Sequence, residues 1–534
     1  MKRTILLSLS FAFLCCNVVG QTNVRGWYAD GQVWVVWEET GDAPETYAIY
    51  SKSTPFTNTA DATLIGRLFQ QEWKPAALAQ QIDSLATYRI PGETGSTYQL
   101  AENEGLFVFT PHQSGSRYFA VVKWGDTTVV AGDNITDGPV DFSFDPAGDP
   151  VECHLQKVFS PEPGYTTFAF YMWADGRQDQ WDGRPDFPVM ANAAKNGMPG
   201  FFIVSAPNGL DTVGGIPATI WLHGGGGTAV QSWPGRRPLV NLNPVEGILI
   251  SHNDDLFGHK GSSGPGFGSV TWHFGWRKNY DPFTTDNFPT GVDTVVNYTQ
   301  RRYRWIDDWL VRRFNVDENR ININGHSMGS AGATGMAKAY PDHYASATIF
   351  NNGFGGPVDS NSMSVLWGVQ SDNFPTNLVA RGGQTVHVQS ISNLTDRLSW
   401  QRDLPLIRSF HGKNDLNNAM QWDEYVVQQY RAADSLGWGS QLFWSERAHG
   451  IDTGDDYNDH WTHGENPDEQ TVVDDVAYEE AHFRSDESFP AFFNHRLDPA
   501  NNDPANNDPG DGTPGTGPNG SPGPDRLAKL PVPR

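Results

Sequence analysis

Ser327 stands in Gly325-His326-Ser327-Met328-Gly329, a G-x-S-x-G pentapeptide. The run Arg320-Ile321-Asn322-Ile323-Asn324 before it reads as a short strand, and Ser330 to Met336 after it reads as a helix. In that setting small flanking residues let the backbone turn sharply, so that a hydroxyl stands exposed above a sheet. The pentapeptide alone is a weak signal in a chain with 56 glycines. A serine hydroxyl is also a poor nucleophile at neutral pH. It needs a base to take its proton and a carboxylate to orient that base.

Both partners follow in the order Ser…Asp…His. Leu404 to Phe410 is an apolar run with the character of a buried strand, and it closes in His411-Gly412-Lys413-Asn414-Asp415. Gln421 to Leu436 has approximate helical spacing. Gln441 to Trp444 reads as another strand, closing in Ser445-Glu446-Arg447-Ala448-His449-Gly450. Asp415 and His449 therefore lie past strand ends, on the same rim of a parallel sheet as Ser327. His449 is the candidate general base and acid, and Asp415 fixes its tautomer and stabilises the imidazolium. Upstream, Pro217 to Leu222 is a strand that runs into His223-Gly224-Gly225-Gly226-Gly227. Its glycines let backbone N–H groups approach a substrate oxygen. Gly224 or Gly225, with Met328, is the candidate oxyanion hole.

With these motifs in place the chain resembles the α/β-hydrolase superfamily, over about residues 217–449 and more loosely 150–495. More narrowly it is similar to secreted esterases and polyester depolymerases, with some likeness to serine peptidases of the prolyl-oligopeptidase type. The resemblance implies an α/β fold, a mostly parallel sheet flanked by helices, and hydrolysis through an acyl-enzyme on Ser327. The motifs are specific to the superfamily and not to a substrate. Esterase, peptidase and non-catalytic binding protein on the same fold all stay open. A front domain of about 125 residues is too short for the propeller of a prolyl-oligopeptidase-type enzyme.

The chain has 534 residues, a formal net charge of −25 and a pI near 4.9, which argues against a nucleic-acid partner. Met1-Lys2-Arg3 and the short apolar stretch Ile5 to Cys16 read as a signal peptide over 1–20. A secreted, extracellular protein is expected. The alternative is lipidation at Cys15 or Cys16, giving a periplasmic or cell-surface lipoprotein, although Leu14 is not the small residue such a site prefers. Cleavage after Gly20 leaves Cys153 alone, without a disulfide partner, as a small buried hydrophobe.

Residues 21–145 differ in character. Aromatic and β-branched runs at 32–37, 46–50 and 116–122 alternate with turn-rich segments, the pattern of an antiparallel β-sandwich. Trp37, Tyr50 and Tyr118 faintly resemble strand landmarks of a fibronectin type III domain. Such a module spaces the enzyme or docks it on a surface or polymer, and its removal is expected to leave soluble-ester hydrolysis largely intact. The hydrolase domain is placed at 150–497. Two insertions, 251–298 and 352–403, fall where clefts and caps are built. Gly and Pro deny the first one regular structure. His223, His326, Trp272, Trp276 and Trp367 are the candidate substrate contacts. Residues 498–534, rich in Pro, Gly, Asn and Asp, read as a disordered tail. No cofactor is expected: Gly264-Pro265-Gly266-Phe267-Gly268 lacks the strand and helix of a dinucleotide site. No metal is expected either, because His460 and His463 lack a third ligand at metal-site spacing, and Asp452, Asp455, Asp456 and Asp459 do not match an EF-hand loop.

Overall fold

The structure is a computed structural model. It describes residues 21–487 and 525–528, apart from 40–45, 73–81, 83–87, 177–182, 186–195, 236–239, 257–268, 284–287, 355–360, 394–403, 413–414, 437–439, 446–448, 451–475 and a few single positions. The signal-peptide segment, Trp400, the aspartates 452–459, His460 and His463 lie outside the described residues.

The front of the chain folds into two facing sheets. One has three antiparallel strands, β1 (Gln21–Ala29), β2 (Gln32–Glu39) and, later in the chain, β5 (Glu104–Phe109). The other contains β3 (Thr46–Lys52), β4 (Thr63–Phe69), β6 (Gly115–Lys123) and β7 (Val140–Phe142), in the order β4-β3-β6-β7. Between them lie Val33, Val35, Trp37, Tyr47, Phe107, Phe119 and Val121. The Trp37 ring packs edge-on against Tyr47, 5.5 Å away.

The second region is built on a large mixed sheet. Its strands are β8 (His154–Phe159), β9 (Tyr165–Ala174), β10 (Met198–Pro207), β11 (Ile216–Leu222), β12 (Ile248–His252), β13 (Val316–His326), β14 (Ser346–Phe350), β15 (Leu406–Gly412), β16 (Ser440–Ser445) and β17 (Asp525–Ala528). The order across the sheet is β8-β9-β10-β12-β11-β13-β14-β15-β16-β17. From β12 to β16 all pairings are parallel, while both ends are antiparallel. Part of the expected disordered tail therefore forms a strand, because Asp525–Ala528 finds backbone partners on β16.

Helix α1 (Tyr298–Phe314) covers one face of the sheet with Trp305, Ile306, Trp309 and Leu310. Arg313, near the end of the helix, is exposed. Asn315 in the left-handed conformation ends the helix. The elbow leads into α2 (Met328–Ala339), and one π-turn at Trp422–Val426 leads into α3 (Val427–Leu436).

The two regions share a core. On β9, Phe170 and Met172 face the helices, whereas Ala169, Tyr171 and Trp173 face the front sandwich. On β10, Phe202 and Val204 point one way and Phe201 and Ile203 the other. Opposite them β2 and β5 present Trp34, Val36, Leu106 and Val108. The Trp34 and Trp173 rings meet edge-to-face at 5.2 Å. Buried polar bonds cross the same seam: Gln32 Nε2 donates to the Trp173 carbonyl at 3.0 Å, and Asn196 Nδ2 to that of Ile65 at 2.9 Å. The front sandwich, expected to be separable, is one wall of a second core that the large sheet closes from the other side.

Both insertions carry some regular structure. Trp276–Arg277 pairs with Val295–Val296, which pairs in turn with Pro375–Val379 from the second insertion. The expectation of an irregular first insertion fails here because these backbone groups find partners across the two insertions.

Candidate active site

Ser327 sits between β13 and α2 with φ 58° and ψ −120°, a conformation costly for a residue with a Cβ. Two glycines permit the turn. A Cβ on Gly325 would lie 2.2 Å from the Gly329 carbonyl oxygen, and one on Gly329 would lie 2.0 Å from that of Leu222. The pentapeptide's outer positions are thus fixed by backbone contact with its own turn and with β11. The Ser327 amide donates to the Phe350 carbonyl at 2.9 Å, tying the elbow to β14.

Asp415 follows β15 and His449 follows β16, so parallel strands bring three distant residues to one rim. Ser327 Oγ lies 2.9 Å from His449 Nε2, and His449 Nδ1 lies 2.6 Å from Asp415 Oδ2. With a carboxylate at Nδ1, that nitrogen carries the proton, which leaves Nε2 to accept from the serine. The Asp415 carboxylate is buried. Asn351 Nδ2 donates to its Oδ2 at 2.9 Å, while the amide and side chain of Asn417 both donate to Oδ1 at 3.0 Å. Burial works to raise its pKa. The hydrogen bond from His449, nearby His411 and the Asn417 amide outweigh that and hold it at about 2. Asp415 is therefore ionised throughout the neutral range. Asn351, whose spacing carries no motif, was not legible in the sequence.

The glycine loop lies over the elbow: a Cβ on Gly224 would come within 3.6 Å of the Ser327 Cβ. A buried network holds the loop's base. His223 Nδ1 donates to the Gly224 carbonyl at 2.9 Å, and its Nε2 accepts from the Asp254 amide at 3.1 Å. His273 Nε2 donates to the His223 carbonyl at 3.0 Å, and its Nδ1 accepts from Tyr303 at 3.0 Å. Asp254 accepts from the amides of Thr271 and His273 and from the Thr271 hydroxyl. Burial lowers the His273 pKa to about 3, so this ring is a neutral spacer. His223, a candidate substrate contact by sequence, is buried in this network and braces the loop.

The aromatic candidates divide. Trp276 is buried, with its ring 4.5 Å from that of Tyr298, and Trp367 is buried with Nε1 donating to the Gly275 carbonyl at 2.7 Å. Trp276 packs the first insertion onto α1, and Trp367 packs the second insertion onto the first, with its ring 5.6 Å from that of Phe274. Trp272 is only partly buried. It and His273 both have positive φ, at 53° and 54°, and its ring edge approaches Gly353, two residues past Asn351. His326 turns toward His449, donating from Nε2 to its backbone carbonyl at 3.1 Å. Burial and the adjacent His449 lower the His326 pKa to about 3.

Among the described residues no group of His, Cys, Asp and Glu is arranged to hold a metal ion, and no helix is long and apolar enough to cross a membrane. Cys153 is free and buried, and burial raises its thiol pKa well above the ordinary value.

The strand order, the strained turn and the Ser–His–Asp chain have the arrangement of the α/β-hydrolase superfamily. No family model and no curated protein matches the chain. Among solved structures it is similar to an S-formylglutathione hydrolase from Agrobacterium tumefaciens, at 14% identity over 55% of this chain and 90% of that one, with a TM-score of 0.34. It is similar to an acetyl xylan esterase from Paenibacillus sp. R4, at 12% identity over 56% and 84%, with a TM-score of 0.33. A prolyl endopeptidase matches at 10% identity over 80% and 71%, with a TM-score of 0.29. At these values the likenesses carry no weight beyond the geometry already described.

Proposed function

We propose that this chain is a secreted serine hydrolase that cleaves carboxylic esters. The observation that carries the proposal is the continuous chain Ser327 Oγ–His449 Nε2, 2.9 Å, and His449 Nδ1–Asp415 Oδ2, 2.6 Å, on a strained elbow. His449 takes the Ser327 proton as Oγ attacks the ester carbonyl. The negative charge that develops on the carbonyl oxygen is met by the amide of Met328 and one from Gly224 or Gly225. Collapse of the tetrahedral intermediate expels the alcohol, which receives the proton from His449 and leaves an acyl group on Ser327. Water, activated by the same imidazole, then releases the acid. Asp415, already ionised, stabilises the imidazolium in both halves.

Trp272, partly buried and with its ring edge near Gly353, is the aromatic candidate proposed to touch an acyl or alcohol group. Secretion rests on the signal-peptide pattern of residues 1–20. Action on a polymeric ester, a polyester or an acylated polysaccharide, rests on the front sandwich and on its Trp124, which is 46% exposed. A panel of p-nitrophenyl esters of rising chain length, beside peptide anilides, tests the proposal. Ester turnover abolished by Ser327→Ala supports it. Anilide turnover alone would favour a peptidase, and no turnover of either would favour a binding protein.

A further inference from the structure

His326 has no part in the proton relay or the oxyanion pocket, yet its ring lies between the loops that supply both. It ends β13, immediately before the nucleophile. Its Nε2 is 3.1 Å from the carbonyl oxygen of His449, and the two imidazole centroids are 4.8 Å apart. A carbonyl only accepts, so the His326 proton is on Nε2. Toward the glycine loop, a Cβ on Gly224 would lie 3.6 Å from His326 Nδ1 and 3.4 Å from the His326 carbonyl oxygen.

We propose that His326 is a positioning residue: the bond from its Nε2–H to the His449 carbonyl holds the His449 imidazole in line between Ser327 and Asp415. The inference rests on the serine-hydrolase reading given above. The physical need is plain. His449 sits on a loop beyond a strand end, and its ring must meet two partners at once, at 2.9 Å and 2.6 Å. Misplacing a catalytic group by about 1 Å can cost ~100-fold in rate. A neutral ring also suits the place. A charged His326 would oppose the positive charge that His449 acquires in each half-reaction, and burial keeps His326 uncharged.

The test compares His326→Leu, which keeps bulk and loses the donor, with His326→Gln, whose side-chain amide N–H reaches about as far as Nε2. Three quantities are read in the full-length protein: kcat and KM on a p-nitrophenyl ester, the rate of Ser327 labelling by a fluorophosphonate, and the far-downfield proton resonance of the His449–Asp415 bond. His326→Leu is expected to slow both kcat and labelling by about 10- to 100-fold with KM little changed, and to broaden or remove the resonance. His326→Gln is expected to restore most of all three. Equal labelling rates and an intact resonance in His326→Leu would overturn the proposal. Equal losses in Leu and Gln variants, each with a lowered melting temperature, would overturn it in favour of packing. A wild-type protein that neither turns over esters nor labels would strike the hydrolase reading instead. The resonance and its response to His326→Leu would then still decide the positioning.

Discussion

The front sandwich and the catalytic sheet both pack apolar side chains on two faces of a sheet, but they spend their irregularities differently. In the sandwich, β2 sends Val33, Val35 and Trp37 to one core and Trp34 and Val36 to another. Its buried Gln32 serves the seam, donating to the Trp173 carbonyl, whereas Glu104 and Asn134 bond within the front region. In the catalytic region the parallel strands end in loops holding a strained serine, a buried carboxylate and several uncharged histidines. One region is a wall, and the other is a wall with a worked edge. Stability and chemistry should therefore respond to different substitutions.

The largest separation is expected at the edge. Ser327→Ala and His449→Ala should each lower kcat by as much as about a million-fold, since the two act as a unit. Their melting temperatures should stay close to wild type, because neither side chain contributes much packing. Ester assays beside calorimetry check this, and a variant that melts much earlier would blur the distinction.

The opposite experiment removes the wall. Trp173→Ala at the seam should cost about 3–5 kcal/mol of stability, read from denaturant midpoints, while kcat in the folded fraction stays near wild type. Deleting residues 21–145 should expose Tyr171, Trp173, Phe201 and Ile203 together and yield insoluble protein. A soluble, active truncation would mean that the shared core is not needed for folding.

Acid should find the catalytic region first. His154, His273 and His326 are held near 3 and His411 near 4, each chiefly by burial, and His252 is also pushed well down. Unfolded histidines bind protons as pH falls below about 6.5, whereas these do not. Stability is therefore fully present above that pH and declines as it falls, by up to about 1.4 kcal/mol per pH unit for each group. Asp415, depressed to about 2, adds stability that is present above about pH 4 and lost between there and about 2. All six residues lie in the catalytic region. Hydrogen exchange at pH 5 and 7 should show its amides loosening before those of the sandwich.

The smallest expected effect lies where the regions touch outside the shared core. The Arg67 guanidinium lies 3.6 Å from the Trp124 ring centroid and 4.0 Å from that of Phe283, with Asp281 3.4 Å away. This clamp ties the sandwich to the first insertion. Arg67→Ala should cost roughly 1 kcal/mol, with KM for bulky esters rising more than for acetate esters. Equal KM changes on both would separate the clamp from the cleft.

The site was more legible than the seam. Nucleophile, acid and base must be particular residue types, and Asp415 and His449 followed strand-like runs in the required order. Tryptophans in the insertions have no such restriction, so Trp276 and Trp367 could not be told from Trp272 by spacing. Asn351 orients Asp415 through a contact across 64 residues that no local pattern announces. The seam did leave a trace. Phe168 to Ala174 is apolar without a break, and an antiparallel strand with one wet face should alternate. That unbroken run already required a covering on both sides.

The backbone at Ser327 has a consequence for how this sequence persists through time. A serine held at φ 58° and ψ −120° stores roughly 1–3 kcal/mol that glycine in the same place would largely release. Mutation that answers only to folding would drift position 327 toward glycine, and the protein would be sturdier for it. A lineage that keeps the hydroxyl there is retaining a less comfortable molecule, generation after generation.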